Sequence, residues 1–236
     1  MKLTYEAPES PSLELLIDQG LYWAFVVDHV DKYQADVPLM DNWSKDASEQ
    51  LKISVDSDVL SWMPDLADSK NMGATAGRKS SAFNLGATSA PVALTANNIL
   101  EYIVDCGTVL DEQNIPQDGR YLVLPPLLIG LIKKSDIKDA SLTGDGSSVL
   151  RNGRVGMIDR FTIFSSNLLT TVAEIAGTTY KIPFGHKMAT TFATQITETE
   201  ALKAESTFGD LVRGLMVYGR KVVKDEALGR LYGYKG

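Results

Sequence analysis

The 236-residue sequence contains few of the side chains that usually carry out catalysis or bind metals. It has one cysteine, Cys106, and two histidines, His29 and His186. Neither histidine has a cysteine nearby or a second histidine three or four positions away, whereas a metal site needs three or four converging ligands. Cys106 falls inside a predicted helix, where a cysteine usually acts as a small buried apolar residue. We therefore predict no metal site and interpret all three residues as structural.

Two acidic stretches and one group of glutamates are the next candidates for chemistry. The stretches supply seven aspartates, Asp56, Asp58, Asp65, Asp68, Asp136, Asp139 and Asp145, and the glutamates are Glu198, Glu200 and Glu205. Neither stretch has the calcium-loop spacing, in which a glycine follows alternating oxygen ligands and a glutamate closes the site. We interpret the aspartates as solvated carboxylates, with a structural cation between subunits as the alternative. The glutamates indicate a solvated or intersubunit face of a strand.

Two glycine-rich segments, GATAGRKSS at 73–81 and GDGSS at 144–148, have the composition of phosphate-binding loops. Neither has the full GxxxxGK[ST] order after a buried strand. The sequence also lacks the GxSxG, HExxH and CxxC motifs and a dinucleotide-binding fingerprint. We therefore predict no catalytic residue and no cofactor.

Three arginines, Arg151, Arg154 and Arg160, cluster in LRNGRVGMIDR. They suit a bound phosphate or nucleic acid, and they equally suit carboxylates, which the planar guanidinium pairs well. The net charge of -7 favours pairing with carboxylates. An acidic chain is also a poor primary nucleic-acid binder, because affinity for phosphates comes from clustered Lys and Arg.

The composition is that of a globular protein, with 44% hydrophobic and 22% charged residues. The sequence shows no secretory signal, and no apolar run approaches the roughly 20 residues that span a bilayer. A single cysteine rules out an intramolecular disulfide. We expect a soluble protein that is made in a cytoplasm and does not contact a membrane.

The first half of the chain predicts an extended arm or hairpin at 12–30, a long helix and a surface connection at 65–94. The helix, about 27 residues from Asp36, has one apolar stripe at steps of three or four: Val37, Met40, Trp43, Ala47, Leu51, Val55, Val59 and Trp62. We expect this stripe to pack on a β-sheet and Trp43→Ala to cost about 3 to 5 kcal/mol. We also expect residues 12–30 to be mobile in an isolated subunit, because their natural partner is a neighbouring subunit.

The second half alternates between helices and strands. We predict a helix from Thr95 to the residues before Pro116, a strand at 121–124 and a short helix at 125–134. A loop-rich stretch precedes further strands at 161–166, about 176–203 and 215–223, and DEALGRLYGY at 225–234 predicts a short closing helix or turn. The fold class is α+β.

Four segments, in this order, carry a resemblance to one family. They are an aromatic strand that leads into a helix at 23–40, a helix and strand containing NIPQDGRYLVLPP at 99–126, a strand pair at 150–169 and a returning strand at 205–228. Together they are similar to the major capsid proteins of tailed phages, which have the HK97-like fold. Arg160 stands where these proteins more usually have glycine.

The resemblance implies an extended E-loop, a long spine helix, a β-rich peripheral domain and an α/β axial domain. It divides the chain into an arm and returning E-loop strand (1–35), the spine helix with a peripheral segment (36–94), the axial domain (95–186) and peripheral strands with the C-terminus (187–236). Family members usually begin with an N-terminal arm, whereas this sequence starts almost on the returning strand. It is therefore either a piece of a longer chain or a reduced member.

The implied role is self-assembly into an icosahedral phage head around DNA. The implied partners are copies of the chain in pentamers and hexamers, with scaffolding, portal and decoration proteins as further candidates and with packaged DNA bound only non-specifically. The implied location is the virion capsid, assembled in the host cytoplasm. The alternatives are an encapsulin-like shell protein of a cellular nanocompartment, an α/β enzyme with an unrecognised site near Arg151 or Asp145, and another phage structural part such as a tail or decoration protein.

Overall fold

The computed structural model describes residues 12–29, 39–135, 156–174, 177–204 and 207–236. Within these ranges it contains three α-helices: α1 (Leu39–Trp62), α2 (Ile99–Glu112) and α3 (Pro126–Lys134). The same ranges contain ten strands: β1 (Gln19–Asp28), β2 (Val92–Leu94), β3 (Arg120–Leu124), β4 (Met157–Ile158), β5 (Phe161–Ser165), β6 (Thr171–Glu174), β7 (Gly177–His186), β8 (Thr190–Lys203), β9 (Gly209–Val222) and β10 (Leu228–Lys235). The α+β class is thereby confirmed.

The first sheet has three antiparallel strands in the order β1-β9-β8. Strand β1 pairs with β9 along its whole length, from Gln19 opposite Tyr218 to Asp28 opposite Gly209. The premise that the partner of this segment is a neighbouring subunit is therefore wrong for residues 19–28, because β1 completes a sheet within its own chain. Mobility of residues 12–30 in an isolated subunit stays a prediction.

Helix α1 packs on one face of this sheet. Trp43 meets Phe25 edge to face, with the ring centroids 5.7 Å apart, and Val55 is buried. Trp43 nevertheless keeps 44% of its surface exposed. The apolar stripe thus lies against the sheet as predicted, and its N-terminal part is covered less completely than its C-terminal part. The predicted start at Asp36 lies outside the described residues, and a 3₁₀ turn at Met63–Leu66, with Pro64 in it, follows the helix.

The second sheet is mixed and has seven strands. Its order is β2-β10-β7-β3-β5-β4, and β6 pairs with β7 off this path. The main core contains residues of α2, α3 and this sheet, among them Ile103, Leu122 and Phe184. The sheet takes strands from the segments 36–94, 95–186 and 187–236.

Residues 225–234 do not form the predicted closing helix or turn. Asp225–Ala227 make a single 3₁₀ turn, and β10 follows as an inner strand between β2 and β7. Gly229 meets a packing requirement within this strand, because a Cβ on it would overlap the Phe184 ring. Sequence patterning cannot separate a glycine required by packing from a glycine in a turn.

The segment 65–94 is more than a surface connection. It buries Ala76, Leu85 and Leu94 completely in the main core. The buried side chain of Asn71 donates hydrogen bonds to the carbonyl oxygens of Glu226 (2.7 Å) and Leu228 (2.9 Å). The backbone of this segment runs close to β10 at Gly86, where a Cβ would overlap the carbonyl oxygen of Tyr232.

Candidate functional site

The single cysteine is buried on α2 and has the environment of a core residue. Cys106 has no exposed surface. Burial, with a smaller contribution from Asp105, raises the pKa of its thiol well above the ordinary value. A nucleophilic cysteine needs an exposed thiolate, so the geometry agrees with a structural role.

The two histidines lie far apart in the fold. His186, at the end of β7, is buried; its Nδ1 accepts the backbone N–H of Met188 (3.1 Å), and its Nε2 lies 2.6 Å from the carbonyl oxygen of Asp118. His29, after β1, has Nε2 at 3.6 Å from Asp210 Oδ1. Each ring is held by its own local partners. Throughout the described ranges, no three His, Cys, Asp or Glu side chains come close enough to hold a metal ion.

Asp58 holds the end of α1 against β9. Its carboxylate accepts the Tyr218 hydroxyl (2.8 Å) and forms an ion pair with Arg220, whose guanidinium also lies 4.9 Å from the centre of the Trp62 ring. Burial, followed by the hydrogen bond to Asp58, raises the pKa of Tyr218 to about 12. This aspartate was predicted to be solvated, and its function is structural.

Asp65 holds the turn after α1 against the second sheet, as Asp58 holds the end of α1 against the first. Its two carboxylate oxygens accept Lys181 Nζ of β7 (2.6 Å) and Arg230 Nη1 of β10 (2.5 Å). Burial opposes its ionisation, but Lys181 and Arg230 together lower the pKa of Asp65 below its ordinary value. Asp68 accepts the backbone N–H of Lys70 in a local turn, and Asp56 is exposed.

The glycine-rich loop at 73–81 binds a carboxylate of the protein itself, that of Glu112. Glu112 Oε2 accepts the backbone N–H groups of Lys79 (2.7 Å) and Ser80 (3.1 Å). The bond from Lys79 and the bonds from Ser80 lower the pKa of Glu112. The loop therefore uses the donors of a phosphate-binding loop to fasten itself to α2.

Arginine–carboxylate pairing accounts for the described member of the arginine cluster. Arg160 lies 3.6 Å from Asp111 and 3.4 Å from Asp159. Its φ of +67° lies in the left-handed region that favours glycine. The other cluster members and several remaining candidates lie outside the described residues: Arg151, Arg154, Asp136, Asp139, Asp145, Glu205 and residues 144–148.

Arg120 is a buried cation that the sequence reading did not single out. Its side chain is fully buried and donates to Asp111 Oδ1 (2.5 Å) and to the carbonyl oxygens of Gly107, Ile115 and Pro116 (2.7 to 3.0 Å). The arginine of the NIPQDGR segment thus closes the turn between α2 and β3. A charged residue at the start of an apolar strand was the available signal.

The sheet face opposite α1, here called the open face, was not predicted from the sequence. Its strand register aligns three rows of side chains: Tyr22, Leu215 and Glu198; Ala24, Arg213 and Glu200; and Val26, Leu211 and Leu202. Apolar residues at both odd and even positions of β1, and hence on both of its faces, were the available signal.

In the described chain no helix is long and apolar enough to cross a bilayer.

The comparisons with known proteins match the fold and not the sequence. No family model and no curated protein matches the chain. A chain from Mycobacterium phage Che8 superposes with a TM-score of 0.73 at 23% identity, covering 97% of this chain and 76% of that chain. A chain from the capsid of the cyanophage P-SCSP1u gives 0.70 at 16% identity, covering 100% and 81%.

The similarity also extends to an encapsulin. A chain of the holo-SrpI encapsulin complex from Synechococcus elongatus PCC 7942 superposes with a TM-score of 0.61 at 9% identity, covering 90% of this chain and 72% of that chain. The fold is therefore that of phage capsid proteins, and the predicted resemblance to HK97-like coat subunits is confirmed at the level of the fold.

Proposed function

We propose that this chain is the major capsid protein of a tailed phage, a structural subunit whose copies assemble into an icosahedral head around DNA. One observation carries the proposal: the fold matches solved capsid chains over 97% and 100% of its length in the two comparisons above. A match across the whole chain is more informative than a shared core, because shell proteins contact their neighbours through the extended parts of the subunit.

The parts of the fold have proposed roles within such a shell. Helix α1 is the spine helix, and β1 is the strand that returns from the E-loop into it. The three-stranded sheet belongs to the peripheral domain, and the unit of α2, α3 and strands β3 to β7 is the axial domain. We keep the division at residues 35, 94 and 186 as a proposal; β2 and β10, which lie outside 95–186, extend the axial sheet at one edge.

The proposed partners follow from this role. Copies of the chain would form pentamers and hexamers, and scaffolding, portal and decoration proteins are further candidates. Packaged DNA would be bound only non-specifically, in keeping with the net charge of -7. The proposed location is the virion capsid after assembly in the host cytoplasm. Assembly of a shell requires repeated weak interfaces between subunits and no catalytic residue.

An encapsulin-like shell is the second candidate, favoured by the similarity to the SrpI complex. The two candidates share a fold and differ in what the shell encloses. The contents of purified, nuclease-treated particles distinguish the capsid from the encapsulin-like shell. Protected nucleic acid in phage-infected material supports a capsid, whereas a co-purified enzyme supports a nanocompartment. A discrete subunit that forms no particles and binds a small molecule saturably would favour the enzyme alternative.

A further inference from the structure

The tip of the glycine-rich loop, residues 77–81, has the architecture of an anion site. Three donors converge there on the Glu112 carboxylate: the backbone N–H groups of Lys79 (2.7 Å) and Ser80 (3.1 Å) and the Ser80 hydroxyl. Successive backbone N–H groups that point to one spot form concave sites in which proteins bind phosphates and other anions. The Glu112 carboxylate shows where an anion sits on this loop and which groups hold it.

Gly77 leaves the room that this anion needs. It has a φ of +107°, and a Cβ placed on it would lie 3.1 Å from Glu112 Oε2 and 2.5 Å from Ser80 Oγ. A side chain at position 77 would therefore crowd both the anion and its hydroxyl donor. Phosphate-binding loops use glycine for the same reason, because their backbone must approach the anion closely.

The loop carries more positive charge than one carboxylate balances. Arg78 and Lys79 are exposed, and Arg78 Nη1 donates to the neutral amide oxygen of Gln113 (3.3 Å). After the backbone bond from Lys79 and the bonds from Ser80, the positive charge of Lys79 also lowers the pKa of Glu112, so this ammonium lies near the site. A phosphate group carries about 1.5 to 2 negative charges at pH 7 and matches two cations better than a carboxylate does.

Glu112 can leave the site without creating a buried charge. It is the last residue of α2, at the molecular surface, and the last turn of this helix has no basic residue. The helix dipole disfavours an anion at a C-terminus, yet the loop holds one there, so its donors outweigh the dipole. The neighbouring carboxylate of Asp111 is already paired with Arg120 and Arg160.

We propose that residues 77–81 form a phosphate-binding site, in which Glu112 occupies the place of the phosphate until one binds. The phosphate oxygens accept the N–H groups of Lys79 and Ser80 and the Ser80 hydroxyl, and Arg78 and Lys79 balance the charge. Binding turns the Glu112 side chain out into solvent and unfastens the loop from α2. Free phosphate and a DNA backbone present the same oxygens. The inference goes beyond the proposed function and does not depend on it.

Equilibrium dialysis of the full chain against radiolabelled inorganic phosphate tests the site. Glu112→Gln removes the competing charge, and Glu101→Gln makes the same change in the first turn of α2, at the far end of the helix. We expect Glu112→Gln to bind phosphate about tenfold more tightly than the wild type, and Glu101→Gln to bind it as the wild type does. Adding Arg78→Gln and Lys79→Gln to Glu112→Gln should reverse the gain. Circular dichroism checks the fold of each variant.

Competition identifies the source of the phosphate. Displacement of the label by a short DNA duplex supports a site for the DNA backbone, and displacement by unlabelled phosphate alone supports a site for free phosphate. The absence of saturable binding in Glu112→Gln, or equal tightening in Glu101→Gln, would overturn the proposal and leave the proposed function standing. If Glu112→Gln does not fold, the exposed Lys79→Gln decides in the otherwise wild-type chain, where weaker binding supports the site and unchanged binding overturns it.

Discussion

Single residues in this protein hold the chain in shape. Arg120 shows this most clearly, because its guanidinium is buried and donates to Asp111, to the carbonyl oxygen of Gly107 in α2 and to the carbonyl oxygens of Ile115 and Pro116 in the α2–β3 turn. Asn114 and Gly119 in that turn have φ angles of +58° and +83°. Both residue types tolerate this left-handed region, and the buried cation fastens the turn that they form.

Replacing Arg120 should therefore be costly. We expect Arg120→Leu to lower the free energy of unfolding by about 3 to 5 kcal/mol, because it removes one partner of a buried pair and leaves carbonyl oxygens without donors. Arg120→Lys should recover only part of this loss, since one ammonium cannot reach the same spread of acceptors. Urea denaturation measures both, with the exposed Arg78→Lys as the control. A loss below about 1 kcal/mol in Arg120→Leu would contradict the role assigned to it.

Two helical glycines provide a matched pair. A Cβ on Gly107 of α2 would overlap the Asp159 carboxylate, whereas a Cβ on Gly130 of α3 would have no neighbour within 4 Å. We expect Gly130→Ala to stabilise the protein by about 0.5 to 1 kcal/mol through helix propensity. Gly107→Ala should stabilise it less than Gly130→Ala does, because the Asp159 carboxylate must move aside for the new methyl group. Thermal unfolding would show the higher midpoint in Gly130→Ala, and an equal or higher midpoint in Gly107→Ala would refute the proposed contact.

At the scale of elements, α1 joins the two sheets. Asp58 ties its last turn to β9 in the first sheet, and Asp65, just after Pro64, ties the following turn to β7 and β10 in the second. The period of the apolar residues predicted this helix well, because helical spacing survives in a half-buried element. The same pattern could not predict β10, where buried glycines replace the alternation that marks a strand.

The stripe on α1 allows a graded test. Trp43 contacts Phe25 but stays 44% exposed. We now expect Trp43→Ala to cost about 1 to 2 kcal/mol, less than the 3 to 5 kcal/mol of a fully buried tryptophan. Ile53→Ala, on the exposed side, should change stability by less than about 0.5 kcal/mol. Equal effects of the two substitutions in urea denaturation would mean that the helix packs through a different face.

At the scale of the whole molecule, two carboxylates with lowered pKa values predict that the fold loses stability in acid. The folded-state pKa values of Asp65 and Glu112 are lowered, so each contributes stability that is present above its unfolded pKa and is lost as pH falls through the folded value. We expect the free energy of unfolding to decline below about pH 4. Asp65→Asn should be less stable than wild type at pH 7, and the gap should narrow at pH 3. A gap that is constant with pH would contradict the ion pairs of Asp65.

The overall fold could be predicted from the sequence, whereas the composition of its surfaces and the partners of single side chains could not. The NIPQDGR turn and the aromatic strand before a long helix carried the resemblance that the fold comparison confirmed, because both are local motifs with local causes. The open face depends on strand register between β1, β9 and β8, which are far apart in the chain. The positions of Arg120 and Asp65 depend on partners that only the folded chain brings together.

Light scattering coupled to size-exclusion chromatography, over a range of protein concentrations, tests the central claim most directly. A coat subunit should give species of five or six times the 25.7 kDa chain mass, or closed shells in the megadalton range. Electron micrographs of the same fractions should show rings or icosahedral particles. A single 25.7 kDa species at every concentration, with no particles in the images, would contradict the assignment as a self-assembling capsid protein.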